Sequence, residues 1–206
     1  MDSGKNIYEG IKETNKFEAD DCNDKILFLY AIHNKFYPIV AKAVREKGIN
    51  LSIDDHCHMF SIPQEEALKF ETDFRCPPDV YIKQLDKSYA NFINSIWPHR
   101  YEDSEKFIEL LIEMNDSYGV FLKSTNELVS WILLSMLGQL GVLQTEDEHK
   151  RKGYASLITK YMSKQLALKG YNAFGTVIDT NHSSISMFTK LGFRSLGIAM
   201  YSHQQK

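Results

Sequence analysis

The sequence predicts an α/β fold with a mixed sheet, and the pattern of residues 79–206 carries this prediction. Short apolar runs typical of strands alternate with longer segments whose apolar residues recur at helical spacing. Two strand-like runs are joined by a short polar turn, which indicates a hairpin. The predicted order is strand, helix, helix, three strands, helix, strand, helix, strand. This order describes an α/β domain with a mixed central sheet flanked by helices.

Residues 1–78 are less regular and are predicted to form a helical and irregular extension. Residues 1–22 predict a loosely packed arm. Residues 23–46 carry apolar side chains at helical spacing, which predicts one long amphipathic helix, bent near Pro38 and ended by Gly48. A short helix is predicted near residues 63–70. The pair Pro77-Pro78 marks a predicted domain boundary, so the domains are 1–78 and 79–206.

The elements of residues 79–206 follow from the same patterns. Strands are predicted at residues 80–85, 118–123, 127–134, 139–145, 172–178 and 193–201. Helices are predicted at residues 88–97, 104–114, 154–168 and 183–191. Residues 124–126 form the predicted hairpin turn, and Gly170 and Gly192 end the last two helices.

The overall composition excludes several classes of protein. The chain has 206 residues, 43% of them hydrophobic, which is enough for one ordinary core or a domain with a smaller appendage. Lys and Arg number 24 against 27 Asp and Glu, a net charge of -3 that favours neither a nucleic-acid partner nor an anionic membrane. No apolar run approaches the roughly 18 residues of a membrane span. A soluble protein is therefore expected.

The N-terminal segment and the cysteines bear on location. The first 25 residues lack the apolar core of a signal peptide and the Arg-rich character of a transit peptide. The cysteines Cys22, Cys57 and Cys76 are odd in number and widely spaced, which indicates reduced thiols. A cytosolic location is expected, ahead of a mitochondrial one.

The segment with the clearest chemical signal is the predicted strand, loop and helix of residues 139–168. The loop TEDEHKRKG leads into a helix that opens at Gly153, Tyr154 and Ala155. A helix N-terminus presents unpaired N–H groups and a positive partial charge, which suits a pyrophosphate. Gly153 lets phosphate oxygens approach the backbone, and Ala155 keeps the first turn slim. The basic side chains that add positive charge are Lys150, Arg151 and Lys152.

Taken alone, this loop is also compatible with a plain strand–helix turn that has a solvated basic tip. A localisation signal or a nucleic-acid patch would need more basic residues and a more basic chain.

A second segment, read together with the loop, resembles a known family and favours the anion-binding interpretation of the loop. Residues 148–158, EHKRKGYASLI, resemble the acyl-CoA loop of the GCN5-related N-acetyltransferase (GNAT) superfamily. Residues 181–193, NHSSISMFTKLGF, resemble its second signature: an Asn, a small residue three positions on, an aromatic residue, then Lys-Leu-Gly-Phe. The two stand about 30 residues apart, as that fold requires. The resemblance covers residues 79–206 and implies the GNAT fold, whose two central parallel strands splay apart.

Within the superfamily, the sequence of this half is most similar to the glycine N-acyltransferase-like branch. The strand segments at residues 127–134 and 138–144 and the EHKRKGYAS loop support this. Members of that branch usually carry a whole upstream half, which at residues 1–78 would be shortened here.

The resemblance implies a site for acetyl-CoA or another acyl-CoA as co-substrate, with a small amine or amino acid as the acceptor. The pantetheine arm would lie between the strands at residues 139–145 and 172–178. It would pair with backbone groups of Leu143 and Thr145. Asn181, from the second signature, would bind the arm from the far side, with Ser184 at the small-residue position. The pyrophosphate would be held by residues 150–155.

Two departures from the family affect catalysis. The Tyr that often serves as general acid falls at Phe188, which cannot donate a proton. The Glu that serves as base in glycine-conjugating enzymes aligns with Gln139, and an amide is no base at neutral pH. The remaining candidates act through a water chain, and each is also compatible with a surface or capping role: Glu127, Asp179 and His182.

Two further groups are discounted or left open. His56 and His58 could share a metal on one strand face, but no spaced second pair follows, so no metal is predicted. An aromatic cluster on the first two predicted helices of the domain is usually core, although part of it could line a pocket: Tyr89, Phe92, Trp97, Tyr101 and Phe107.

The sequence therefore supports two functions. One is an N-acyltransferase, favoured by the loop and Asn181. The other is an acyl-CoA-binding pseudoenzyme or interaction module, favoured by the missing Tyr and Glu. Oligomeric state is not readable from the sequence.

Overall fold

The structure, a computed structural model, describes residues 7–9, 11–12, 27–72 and 77–205. Its strands are β1 (Phe28–His33), β2 (Leu51–Ile62), β3 (Val80–Gln84), β4 (Ser117–Leu122), β5 (Leu128–Leu134), β6 (Leu140–Thr145), β7 (Ala173–Ile178) and β8 (Arg194–Gln204). Its helices are α1 (Tyr37–Glu46), α2 (Gln64–Ala67), α3 (Ala90–Ile96), α4 (Ser104–Met114), α5 (Tyr154–Leu168) and α6 (His182–Lys190). Short 3-10 helices lie at Lys87–Tyr89 and Asp147–His149.

The chain forms two compact units. Unit 1 comprises Met1–Phe60, Thr176–Ser186 and Ser195–Lys206, and its strands follow the order β1-β8-β2-β7. Unit 2 comprises Ser61–Gly175 and Met187–Arg194, and its strands follow the order β7-β6-β5-β4-β3. Strand β7 is shared, because the division falls within it. The predicted division into 1–78 and 79–206 stays a prediction.

The sheet of unit 2 is mixed, as predicted. Strands β3, β4, β5 and β6 are antiparallel neighbours, whereas β6 and β7 are parallel and pair at Leu140 and Gly175. One face packs against α3 and α4 through a core that includes Ile93, Ile108 and Trp131. Tyr118 points the other way and contacts Tyr161 of α5, so α5 covers the opposite face. The mixed α/β class is confirmed.

The predicted elements of residues 79–206 are confirmed to within three residues at each end. The helices predicted at residues 104–114 and 154–168 have the bounds of α4 and α5. The hairpin turn contains Asn126 at a φ of 59°, a conformation that Asn tolerates. Gly170 and Gly192 have φ angles of 92° and 88°, which explains why helices end there. None of the helices in the described ranges has the length and apolar character to cross a membrane.

The predicted long helix at residues 23–46 is wrong over its first half. Residues 28–33 form β1, which pairs antiparallel with β8 from Phe28 opposite His203. Pro38 lies in the first turn of α1, where its missing N–H is harmless, so it begins the helix instead of bending it. Residues 23–26 lie outside the described residues. Gly48, at a φ of 79°, follows the helix end as predicted.

The twelve-residue strand β2 was not predicted. Its polar residues, among them Asp54, Asp55 and His56, break the apolar alternation by which strands are recognised. The short helix predicted near residues 63–70 is confirmed as α2. Unit 1 has its own small core of Leu29, Val40, Val44 and Ile49, with further apolar residues around it.

Candidate functional site

The loop before α5 contains two residues in the left-handed conformation. Arg151 has a φ of 62° and Gly153 a φ of 85°, so two of its residues are left-handed. Alternation of right- and left-handed residues turns successive N–H groups to the same side. An added Cβ at Gly153 would meet nothing within 4 Å, so open space lies over this residue. The glycine is needed for its backbone conformation and leaves room for a ligand.

The N-terminus of α5 has no side-chain cap. Gly153 is the N-cap residue and provides no side-chain hydrogen bond, and the first turn contains no Asp or Glu. In most helices a Ser, Thr, Asp or Asn at this position accepts hydrogen bonds from the first N–H groups. The fifteen-residue helix therefore directs the N–H groups of its first turn and its positive dipole end at the loop.

The basic residues of the loop differ in their partners. Lys150 forms an ion pair with Asp147 at 2.5 Å, and Lys152 Nζ lies 3.3 Å from His149 Nδ1. All three basic residues are exposed. A surface ion pair such as that of Lys150 is weak, so its ammonium group can exchange Asp147 for a bound phosphate.

Tyr154 and Ala155 are positioned by the fold. Tyr154 is buried, its hydroxyl donates to Asp79 Oδ2 at 3.3 Å, and its ring stacks on His149 at 6.4 Å. This side chain anchors the helix start to residue 79, ahead of β3. Ala155 is half-buried and adds only a methyl group to the first turn.

Strand β6 contains a bulge that sequence reasoning missed. Trp131 pairs with Gln144 and Leu133 with Gly141, so three steps of β6 match two of β5. Val142, at a φ of 48°, lies inside this bulge. A β-branched residue in a left-handed conformation is a genuine outlier, and nothing in the residue pattern of β6 marks it. Bulges of this kind redirect backbone groups and are frequent beside active sites.

The two residues predicted to meet the pantetheine arm lie on this strand. Leu143 is half-buried, one residue beyond Val142. Thr145 is buried at the end of β6, and its Oγ1 lies 2.8 Å from Ser130 Oγ. The side chain of Thr145 is thus engaged within the sheet, and a ligand would use its backbone.

Phe188 packs where β6 and β7 meet. A Cβ added at Gly175 would lie 3.2 Å from the Leu140 carbonyl oxygen and 3.7 Å from the Phe188 ring. Phe188 is buried and meets Phe193 edge-on at 4.8 Å between centroids. The absence of a side chain at Gly175 lets the strands approach closely, and the ring of Phe188 covers this meeting point.

Gln139 lies just before β6 and is 4% exposed. Its N–H donates to Ser135 Oγ at 3.2 Å, and its carbonyl accepts from Ser135 N at 2.8 Å. The backbone of Gln139 therefore closes the β5–β6 hairpin. That its side chain faces an acceptor stays a prediction.

Glu127 lies at the other end of β6, beside the loop. Ligand atoms of Glu127, Glu146 and His149 lie within 4.8 Å of one another. Burial, and then the negative charge of Glu127, raise the pKa of Glu146. The six residues of β6 separate this cluster from Gln139 by roughly 20 Å at the strand rise. The cluster was missed from the sequence, although the pairing of Ser130 with Thr145 brings these chain positions together.

The remaining predicted residues lie in unit 1. Asn181 Oδ1 accepts a hydrogen bond from Ser184 N at 3.1 Å, so Asn181 caps the start of α6. Asp179 and His182 are exposed, and Asp179 N donates to the His56 carbonyl at 3.0 Å. Locally, Asn181 and Ser184 therefore act as a helix cap. Their roles toward a ligand stay predictions.

The discounted metal residues and the cysteines have ordinary surroundings. His58 stacks on Phe60, and neither His56 nor His58 belongs to the metal-compatible group found in the described residues. Burial raises the pKa of the Cys57 thiol to about 12, which keeps it protonated. Cys22 and Cys76 lie outside the described residues.

The aromatic cluster divides into core and surface. Tyr89, Trp97 and Phe107 pack against the core beneath α3 and α4. Phe92 is 37% exposed and meets Trp131 edge-on, and Tyr101 is 60% exposed.

The comparisons with known proteins agree with this geometry. The family model described as FR47-like protein matches residues 117–201, which include β4 to β7, the loop and α6. Glycine N-acyltransferase-like protein 2 of Homo sapiens is 30% identical over 111 residues, 53% of this chain and 37% of that protein. This chain therefore spans a little over a third of that relative's length.

Solved structures show the same fold. A Drosophila melanogaster protein superposes with a TM-score of 0.75 at 21% identity, over 88% of this chain and 61% of that one. A GCN5-related N-acetyltransferase from Kribbella flavida superposes with a TM-score of 0.57 at 16% identity, over 82% and 65% respectively. A tandem GNAT protein from the clavulanic acid biosynthesis pathway reaches 0.56 at 11% identity, over 79% and 57%.

These likenesses confirm the predicted resemblance. The chain has the GCN5-related N-acetyltransferase fold, and its C-terminal half is related in sequence to FR47-like protein and to glycine N-acyltransferase-like protein 2.

Proposed function

We propose that this protein is an acyl-CoA-dependent N-acyltransferase, which moves an acetyl or other acyl group from CoA to the amine of a small acceptor. The observation that carries the proposal is the start of α5. It has no capping side chain and no acidic residue in its first turn, and it follows a loop with two left-handed residues. Such a terminus binds an anion, and the diphosphate of CoA supplies one.

The basic side chains add charge to this backbone site. Lys150, Arg151 and Lys152 are exposed around it and bring three positive charges. Acidic residues lie near the same loop, namely Glu127 and the half-buried Glu146, which are close to His149. The site is therefore of mixed charge, and the N–H groups of the helix start, which carry no such repulsion, supply most of the specificity for phosphate.

The acyl end of the donor would lie along β6. The bulge at Val142 breaks the regular ladder between β5 and β6, so its backbone groups are directed differently from those of a regular strand. In the family that this chain resembles, the pantetheine arm pairs with this strand, here through Leu143 and Thr145. Asn181 and Ser184 are proposed as contacts from the second signature.

The chemistry requires few groups. The acceptor must lose its ammonium proton, and its nitrogen then attacks the thioester carbonyl carbon. A backbone N–H near Val142 would donate to the oxyanion of the tetrahedral intermediate. The C–S bond then breaks and the CoA thiolate leaves. The nitrogen gives up its second proton, and the thiolate, whose conjugate thiol has a pKa of about 8.5, takes up one proton.

The general base is neither of the two residues at the usual positions of the family. Gln139 is an amide and Phe188 a hydrocarbon, so neither exchanges a proton. Glu127 lies beside the loop and Asp179 at the end of β7, and a water chain to either residue or to His182 would be required. Acceptors that are already partly neutral at physiological pH therefore fit this site best.

The buried hydrocarbon at Phe188 also favours a second candidate function. With neither a Tyr at Phe188 nor a Glu at Gln139, the chain could bind acyl-CoA without turnover and serve as an interaction module. The two functions differ in one measurement. An enzyme releases CoA thiol from acyl-CoA in the presence of a suitable amine, whereas a binding module binds acyl-CoA without consuming it.

The first experiment is calorimetric titration of the purified protein with acetyl-CoA, followed by thiol release against pooled amines and amino acids. We expect binding, with Lys152→Glu at least about fivefold weaker because a carboxylate would face the phosphates. Lys69→Glu makes the same charge change on an exposed residue after α2 and is the matched control. Equal affinity for both variants would contradict the assignment of the loop, and binding without thiol release would favour the module.

A cytosolic location stays a prediction from the composition of the first 25 residues.

A further inference from the structure

A second surface of unit 2 carries a cleft, lined by both apolar and polar residues, that the proposed function does not use. The cleft has a volume of about 670 Å³ and lies at the starts of β6 and β7, away from the loop. Three apolar lining residues are buried or half-buried, and we call them the floor of the cleft: Leu134 of β5, Leu166 of α5 and Phe174 of β7.

The rim of this cleft is formed by large apolar residues that are unusually exposed. Met114 is 73% exposed, Met136 67%, Leu137 59% and Tyr171 62%, and all four line the cleft. We name these four residues the apolar rim. They come from the end of α4, from the β5–β6 hairpin and from the turn after α5. Single exposed apolar residues are common, but four around one cleft form a contiguous patch.

The hairpin residues have no local reason to be apolar. Gly138 N donates to the Ser135 carbonyl at 2.9 Å, which makes Met136 and Leu137 the central residues of a four-residue turn. Gly, Asn, Asp, Ser and Pro dominate such positions because they suit the backbone and the solvent. The turn places two hydrophobic side chains at a projecting tip. Neither the turn geometry nor solvation accounts for these two apolar side chains, whereas a partner surface that covers them would.

The apolar area of the patch is a large share of what a stable interface needs. Leu110 is 47% exposed and lies one helical turn before Met114, so it extends the apolar rim along α4. Taking roughly 200 Å² for a fully exposed residue of this size, the five leave about 600 Å² of surface. A standard protein–protein interface buries about 800 Å² on each partner.

Charge around the cleft does not select a partner of either sign. Lys169 Nζ lies 2.6 Å from Asp116 Oδ2, and Lys87 Nζ lies 3.1 Å from Glu113 Oε1. Each of these charges is therefore matched within the chain. An acidic or basic partner, or an anionic membrane, would gain little from such a surface.

From these observations we infer that the apolar rim is a two-fold interface between two copies of this chain. A surface that carries both a projecting tip and a receiving cleft offers both halves of a contact with a second copy across a two-fold axis. In a two-fold dimer, residue contacts are reciprocal, so each hairpin tip enters the cleft of the other copy. Met136 and Leu137 then cover the floor formed by Leu134, Leu166 and Phe174. This inference does not depend on acyl transfer.

The test is sedimentation velocity of the full chain over about 1 to 100 µM, since association must increase with concentration. We expect the mass to rise from 23.8 kDa to twice that value. The variant Met136→Asp/Leu137→Asn places turn-compatible polar residues at the tip and should weaken association at least about tenfold. The control Ile53→Asp/Leu196→Asn introduces the same two polar residues at apolar positions of unit 1 that are 49% and 52% exposed, and it should leave association unchanged.

Circular dichroism establishes that each variant is folded. Should the hairpin variant fail to fold, Tyr171→Asn removes apolar area from the opposite side of the cleft and makes the same comparison. A wild-type protein that stays monomeric throughout the range overturns the inference, including one that instead binds lipid vesicles or another protein. So does a folded rim variant that associates as tightly as the control.

Discussion

Gly153 offers a test in which the effect on ligand binding can be separated from the effect on folding. Its φ of 85° is favourable for glycine, and any other side chain there carries a left-handed strain of roughly 1 to 2 kcal/mol. Because an added Cβ meets nothing within 4 Å, no clash adds to this strain. Gly153→Ala and Gly153→Glu should therefore lose similar stability, and each Tm should fall by about 2 to 8 °C.

Binding of acyl-CoA should distinguish the two variants. The carboxylate of Gly153→Glu would stand about 4 to 5 Å from a bound phosphate, and such repulsion costs about 1 to 4 kcal/mol between the limits of water and a protein surface. Calorimetric titration with acetyl-CoA should thus show Gly153→Glu at least about fivefold weaker than Gly153→Ala. Affinities within twofold of each other would refute the placement of the diphosphate at the start of α5.

Four further changes test other parts of the structure. Because burial and then Glu127 raise the pKa of Glu146, the folded state holds this proton more tightly than the unfolded state, and ionisation lowers stability as pH rises. Glu146→Gln should therefore have a higher Tm than the wild type near pH 7, with the difference vanishing toward pH 4. Gly119→Ala should lower the free energy of unfolding by about 1 to 3 kcal/mol in urea titrations, since the new Cβ would lie 2.5 to 2.9 Å from three core side chains. Phe188→Tyr should leave CoA affinity nearly unchanged and give equal or faster acyl transfer; a large loss of affinity would show that the ring serves only packing. Gln139→Glu should speed transfer near neutral pH, with a gain that shrinks above pH 9, and an equal or lower rate at every pH would place the base elsewhere.

The sequence predicted the C-terminal elements well because their boundaries are marked by local chemistry. Gly170 and Gly192 end helices at left-handed φ angles, and the hairpin turn before β5 contains Asn126 in a similar conformation. Each of these residues signals its own backbone geometry, and the apolar spacing between them gives the element type.

The N-terminal strands could not be predicted in the same way. Strand β1 is stabilised by pairing with β8, which lies more than 160 positions further along the chain. Its spacing of apolar residues is also compatible with a helix, and helix α1 follows directly. In β2, the run of Asp54, Asp55 and His56 hides the alternation that would reveal a strand. Pairing with distant strands determines that β1 and β2 form strands, and a short stretch of sequence does not contain the residues they pair with.

The residues of the candidate site also differ in how far they could be predicted, depending on whether they are neighbours in the chain. The loop residues 150–155 lie together at the start of α5, because they are contiguous in the chain and a single motif describes them. The cluster of Glu127, Glu146 and His149 depends on the register of β5 against β6, which no motif encodes. The bulge at Val142 is a feature of the backbone. It becomes visible only when the residues of β5 and β6 between two pairs of opposite residues are counted.

Backbone strain links the two parts of the proposed site. Among the described non-glycine residues with a positive φ, Asp103 and Asn126 belong to types that tolerate it, and Ala31 lies at an irregularity of the edge strand β1. Val142 and Arg151 do not belong to such types, and both lie between the start of β6 and the start of α5. Strain of roughly 1 to 3 kcal/mol at each persists only where the surrounding structure holds it in place. The fold thus keeps two unfavourable conformations at the positions where the thioester and the diphosphate of acyl-CoA are proposed to bind, and relieves neither with a glycine. A backbone shaped for the proposed ligand would account for both, whereas packing alone would favour a regular strand and a glycine in the loop.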